Sequence, residues 1–179
     1  PHRAAPVATA FHRLAMSELA VEGVAGLEVD RREVDRAGRS FTVLTLESLR
    51  AEDAARPLAL IVGADAFLGF PGWHRWREIF ALAHVVVVAR PGHPFPSELP
   101  PALADEWTAR RAADAKVLHE RPAGAIIVQP ITPHDITASS IRAQLARGAD
   151  GIAAVRGLLP PAVLAYIDRN QLYRSRPDA

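Results

Sequence analysis

The sequence contains no cysteine, which excludes disulfides, thiolate-ligated metal and a cysteine nucleophile, and is compatible with a reducing compartment. It also lacks a charge excess. Lys and Arg number 21 against 20 Asp and Glu, leaving a formal +1, and neither sign forms a long block. A broad electrostatic surface for nucleic acid is therefore not expected, whereas a small anionic ligand fits that balance. Long apolar runs are missing too: Ile79 to Ala89, interrupted by His84, falls short of the roughly 20 residues a membrane helix requires. No signal-peptide pattern is read in the first residues, so a cytoplasmic location and no membrane partner are expected. His74, His84, His93, His119 and His134 show no metal-ligand spacing and no HExxH pattern occurs, so no protein-ligated metal is expected. Internal repeats, low-complexity tracts and domain linkers are absent as well.

What is present suffices for one domain with a substantial core: 179 residues, 49% of them hydrophobic. Ala8 to Val21 carries a helical stripe, Leu27 to Glu33 alternates weakly as a strand would, and Ser40 is placed to cap a helix running from Phe41 to about Glu52. Pro57 to Gly63, His84 to Ala89 and Ala125 to Val128 are short apolar runs of the kind that form parallel strands buried on both faces. Helical patterns at Arg75 to Ala83 and Leu103 to Leu118 flank a proline-rich loop, RPGHPFPSELPP, that can continue neither. A helix from Ser139 to Arg147, a break at Gly148 to Gly151, and a last helix begun by Pro160 and Pro161 complete the chain. Strands alternating with helices predict an α/β domain with a parallel sheet.

Ligands of such sheets bind beyond the carboxyl ends of the strands. The loop Gly63-Ala64-Asp65 offers a close backbone approach and a carboxylate for a ribose or base; equally, Gly63 makes a turn and Asp65 caps the next helix. In FLGFPGWHRW, Phe67 and Trp76 read as core, whereas Trp73, directly after a Pro-Gly turn, is placed to stack on a flat ligand. Arg90 follows the second apolar run, where a guanidinium either grips a phosphate or stands idle. In ITPHDITASSIR, Thr137, Ser139 and Ser140 crowd a helix start with Arg142 nearby, which serves capping, anion binding, or both.

In combination these residues resemble those of bacterial nicotinate mononucleotide adenylyltransferases of the nucleotidyltransferase superfamily. The resemblance runs through essentially the whole chain: Pro1-His2-Arg3, His12-Arg13-Leu14-Ala15-Met16, Gly38-Arg39-Ser40-Phe41-Thr42 with Thr45-Leu46, Gly63-Ala64-Asp65-Ala66-Phe67, Pro71-Gly72-Trp73-His74, Ala83 through Gly92, Ile136 through Arg142, and Leu158 through Tyr173. It implies a Rossmann-like, doubly wound parallel sheet with helices on both faces. It also implies AMP transfer from ATP to nicotinate mononucleotide, giving nicotinate adenine dinucleotide and pyrophosphate, with Mg²⁺ carried by the ATP phosphates and no covalent intermediate. By the same resemblance Thr137, Ser139 and Arg142 bind the triphosphate, Gly63, Ala64 and Asp65 meet the adenosine, and Trp73 stacks on the pyridine ring. Amides near Phe41, Thr42 and His74 read the nicotinate carboxylate, and Arg90 lies near the phosphates. Threonine at 137 and serine at 139 exchange the hydroxyl types the family often has there, keeping the hydroxyl at both. A related enzyme acting on nicotinamide mononucleotide or phosphopantetheine, and a non-catalytic adenine-nucleotide-binding module, are the alternatives. A homo-oligomer is left open.

The family's glycine-rich first strand and His-x-Gly-His loop have no counterpart among these residues. Residues 1–179 are accordingly expected to be a single nucleotidyltransferase domain lacking its first strand and phosphate-binding loop. They are expected to be part of a longer protein and, by themselves, neither to fold properly nor to catalyse.

Overall fold

Three apolar runs do become strands, all parallel. The computed structural model describes residues 8–89, 95, 98–132 and 136–174. In chain order the elements are helices α1 (Ala10–Val21), α2 (Arg32–Asp35) and α3 (Thr42–Glu52), strand β1 (Ala59–Gly63), helix α4 (Ala64–Leu68), two 3₁₀ turns at Phe70–Gly72 and Trp76–Glu78, and helix α5 (Ile79–Leu82). They continue with β2 (His84–Ala89), α6 (Pro101–Arg110), α7 (Val117–Glu120), β3 (Ile126–Pro130), α8 (Ala138–Leu145), α9 (Ala149–Ala154) and α10 (Pro161–Arg169). The chain divides into two compact units, residues 37–133 and, from the remainder, the described residues 8–36 and 136–174.

In the first of these units the sheet order is β1-β2-β3, with Gly63 opposite Val88 and Ala89 opposite Pro130. All three strands therefore end on the same edge, and the loops that follow them leave from there. Val85, Val87 and Ile126 are fully buried against Val43, Phe67, Phe70, Ile79, Phe80 and Leu103. β1 departs from the expectation of burial on both faces. Among the described residues Ile61 is 68% exposed while Val62, on the opposite face, is buried, so only one face of β1 is packed.

The amino ends of the strands are tied by polar contacts. Arg50, near the end of α3, donates to the carbonyls of Arg56 (2.5 Å), Leu82 (2.5 Å) and Pro122 (3.0 Å), one from the segment leading into each strand. The buried His84 ring takes the Ala125 N–H on Nδ1 at 3.0 Å, so its proton resides on Nε2, which donates to the Arg121 carbonyl at 2.8 Å. Both ring nitrogens are occupied within the fold.

Several elements differ from the sequence reading. Leu27 to Glu33 forms no strand: it has no ladder partner among the described residues, and the Asp30 carboxylate accepts the Arg32 N–H at 2.9 Å to start α2 instead. The cap position of α3 falls on Phe41 rather than Ser40. The predicted helix Leu103 to Leu118 is two helices, because Arg111 bridges to Ile126 and the Ala112 N–H donates to the Ile126 carbonyl at 2.9 Å. The helix expected to run to Arg147 ends at Leu145, and the break before α9 is the turn 146–148, closed by Gly148 at φ 73°.

The other unit gathers Leu145, Val155, Val163, Leu164 and Ile167 with Met16 and Leu19 of α1. Thr9 caps α1 by accepting the His12 N–H, and His12 Nδ1 lies 2.9 Å from the Tyr166 hydroxyl of α10. α8 and α9 meet so closely at Gly151 that a Cβ there would lie 1.7 Å from the Gln144 carbonyl oxygen.

Candidate functional site

Gly63 ends β1 in extended conformation and α4 begins at once. A Cβ on Gly63 would meet nothing within 4 Å, so the space beside this backbone is open. Ala64 is buried and anchors the turn, while Asp65 is exposed in the first turn of α4 and makes no side-chain capping bond. No described residue pairs with its carboxylate. This disfavours the capping reading of Asp65 and leaves a free acceptor at the strand end.

The aromatic segment divides around two tight turns. Phe70 and Trp76 are buried, as is Phe67. Trp73 is half-buried with its ring 4.6 Å from that of Phe70, and its backbone N–H donates to the Phe70 carbonyl at 2.7 Å. His74 is exposed and stacks at 4.4 Å, tilted by 32°, on the ring of Phe41. Phe41 is the residue from which α3 starts, so the amino-terminal amides of α3, including that of Thr42, lie beside the Trp73-His74 turn. Amides at a helix start have no intrahelical acceptor and favour negative charge.

Beside them stands an ionic group that the sequence reading passed over. Arg75 adopts φ 51° and ψ 38°, left-handed backbone for a residue with a Cβ. Its guanidinium donates through Nε to Glu78 at 2.8 Å and through Nη2 to Glu47 of α3 at 2.7 Å, with a further contact from Nη2 to the second oxygen of Glu78. The hydrogen bond to Glu78 first, then that to Glu47, raises the Arg75 pKa above its ordinary value, and the Arg75 hydrogen bond holds Glu78 below the usual glutamate range. An arginine in a GWHRW string announces neither the left-handed turn nor a partner 28 positions upstream.

In the other unit, α8 opens with a capping box. Thr137 Oγ1 accepts the Ser140 N–H at 3.0 Å, and the Ser140 hydroxyl donates to the Thr137 carbonyl at 2.8 Å. Arg142 Nη2 donates to Ser139 Oγ at 3.2 Å, and all four residues are exposed. Capping thus takes Thr137 and Ser140, while Ser139 and Arg142 form a separate pair on the surface. Arg90 lies outside the described residues. Among the described residues no cluster of three His, Cys, Asp or Glu side chains is placed to hold a metal ion, and no helix is long and apolar enough to cross a membrane.

The cytidylyltransferase-like family model matches residues 1–144. A probable nicotinate-nucleotide adenylyltransferase of Dechloromonas aromatica is 48% identical over 98% of this chain and 80% of the relative. A protein of the same name from Laribacter hongkongensis is 47% identical over 100% of this chain and 79% of the relative. Among solved structures, a Plasmodium falciparum nicotinic acid mononucleotide adenylyltransferase complexed with APC superposes with a TM-score of 0.62 at 13% identity, covering 92% of this chain and 75% of that one, and so shares the fold. From these matches and from the parallel sheet with its strand-end loops, the chain belongs to the cytidylyltransferase-like nucleotidyltransferases and, within them, to the nicotinate-nucleotide adenylyltransferase family.

Proposed function

We propose that this protein transfers AMP from ATP to nicotinate mononucleotide, releasing pyrophosphate and forming nicotinate adenine dinucleotide for NAD biosynthesis in the cytoplasm. The 5′-phosphate oxygen of the mononucleotide attacks the α-phosphorus in line, the bond from that phosphorus to the bridging oxygen breaks, and pyrophosphate departs with the electron pair. Positioning and charge neutralisation supply the catalysis, so each side chain needs only to hold its part of the two substrates.

One observation carries the assignment of the acceptor: the 4.4 Å contact between Phe41 and His74 brings the start of α3 and the Pro-Gly-Trp-His turn side by side. Backbone amides there suit a planar carboxylate, and the Trp73 indole suits the pyridine ring that bears it. Gly63, Ala64 and Asp65 take the adenosine, the open side of Gly63 admitting the ligand and Asp65 accepting from hydroxyl or amino groups.

Thr137, Ser139 and Arg142 take the triphosphate. Thr137 Oγ1 and Ser139 Oγ each accept a hydrogen bond within the protein, which leaves each hydroxyl hydrogen to donate to a phosphate oxygen. The Ser140 hydrogen is spent on a carbonyl. Arg90 is assigned to the phosphates by the family resemblance alone. Mg²⁺ enters as part of the substrate, on the ATP phosphates. Both units serve this reaction as parts of a single nucleotidyltransferase domain.

Pyrophosphate release by the full-length protein, with ATP and nicotinate mononucleotide, nicotinamide mononucleotide or phosphopantetheine as acceptor, tests the proposal. Fastest turnover per KM with nicotinate mononucleotide is expected. Preference for either other acceptor would replace the substrate, and adenine-nucleotide binding without any turnover would make the protein a binding module.

A further inference from the structure

A residue with a Cβ does not settle in left-handed backbone unless its surroundings hold it there. Arg75 is held by its own side chain, whose fork engages Glu47 on α3 and Glu78 in the following 3₁₀ turn. The reversal at Arg75 sends Trp76 into the core while leaving Trp73 against Phe70 and His74 against Phe41. Glu47 lies in α3 and Phe41 holds the cap position of that helix, so the Arg75–Glu47 bond ties the turn to the element that supplies the neighbouring amides. Two carboxylates on one guanidinium leave a local formal charge of −1. Arg75 is thereby committed to the protein and is no counter-ion for a ligand carboxylate.

We propose that Arg75 is a positioning residue for the acceptor pocket: its grip on Glu47 and Glu78 fixes the left-handed turn that sets Trp73 and His74 beside the start of α3. This rests on reading that turn as the nicotinate site.

The test compares Arg75→Ala with Arg75→Gly in the full-length protein. Both remove the fork, but only glycine takes left-handed backbone without penalty. Arg75→Ala is expected to raise KM for nicotinate mononucleotide about ten-fold, the equilibrium equivalent of one residue's left-handed penalty, while glycine restores most of that loss. KM for ATP and kcat should stay within about twofold in both, because the turn is assigned to the acceptor alone. Equal losses in the two variants, or a parallel rise in KM for ATP, would overturn the proposal. Should the wild type fail to turn over nicotinate mononucleotide, the functional reading fails by itself, and crystal structures of the variants decide the positioning role. There, Arg75→Ala is expected to lose the turn and the Phe41–His74 contact while Arg75→Gly keeps both; retention in both would overturn it.

Discussion

The Ser140 hydroxyl donates to the Thr137 carbonyl at 2.8 Å while the Ser140 amide donates to Thr137 Oγ1 at 3.0 Å, so two adjacent-looking hydroxyls of one helix start have different work. Ser139 between them belongs to neither bond and meets Arg142.

Ser140→Ala should therefore weaken the cap, costing about 1 kcal/mol of stability, with KM for ATP unchanged. Ser139→Ala should do the opposite, raising KM for ATP by about ten-fold through loss of a hydrogen bond to a charged phosphate, with the melting temperature unmoved. Thermal melts and ATP titrations of the two variants check the crossover; the same phenotype in both would contradict it.

Trp73 rests one side on Phe70 and is only half-buried, leaving ring surface for a ligand. Trp73→Ala should weaken nicotinate mononucleotide binding by about 1 to 3 kcal/mol while leaving ATP binding alone. Calorimetric titration of each ligand measures both, and equal weakening would speak against stacking.

Gly151 needs no special φ; it is required by the Gln144 carbonyl, 1.7 Å from where a Cβ would stand. Gly151→Ala must push α9 from α8, and a loss of roughly 1 to 3 kcal/mol in urea unfolding is expected. An unchanged midpoint would mean that the two helices separate freely.

Acid should act on the Arg75 cluster through Glu78, whose carboxyl sits below its ordinary value of 4.5 because Arg75 donates to it. Its folded pKa is depressed, so its contribution is present above pH 4.5 and is lost as pH falls through the lower folded value. Glu78→Gln should remove that part of the slope, so the melting temperatures of variant and wild type converge as pH drops below 4.5. Parallel curves through that window would refute the linkage.

The strands were legible because runs such as HVVVVA are apolar along their whole length, and β2 spans the predicted His84 to Ala89. Leu27 to Glu33 misled because alternation describes a face, not a partner, and no described strand pairs with it. The exposure of Ile61 was likewise hidden, since a continuous apolar run does not say which of its two faces is packed. At the candidate site the sequence marked Trp73, Asp65 and the hydroxyls, but not their division of labour: that Ser140 is spent on the cap follows from two distances. Arg75 was invisible because arginine as a residue type signals neither a φ of 51° nor bonds to Glu47 and Glu78.

The most direct measurement is a crystal structure of the full-length protein with nicotinate adenine dinucleotide bound. The pyridine ring is expected against the Trp73 indole, with its carboxylate on amides at Phe41, Thr42 and His74. A pyridine ring bound away from Trp73, with those amides facing only solvent, would contradict the account.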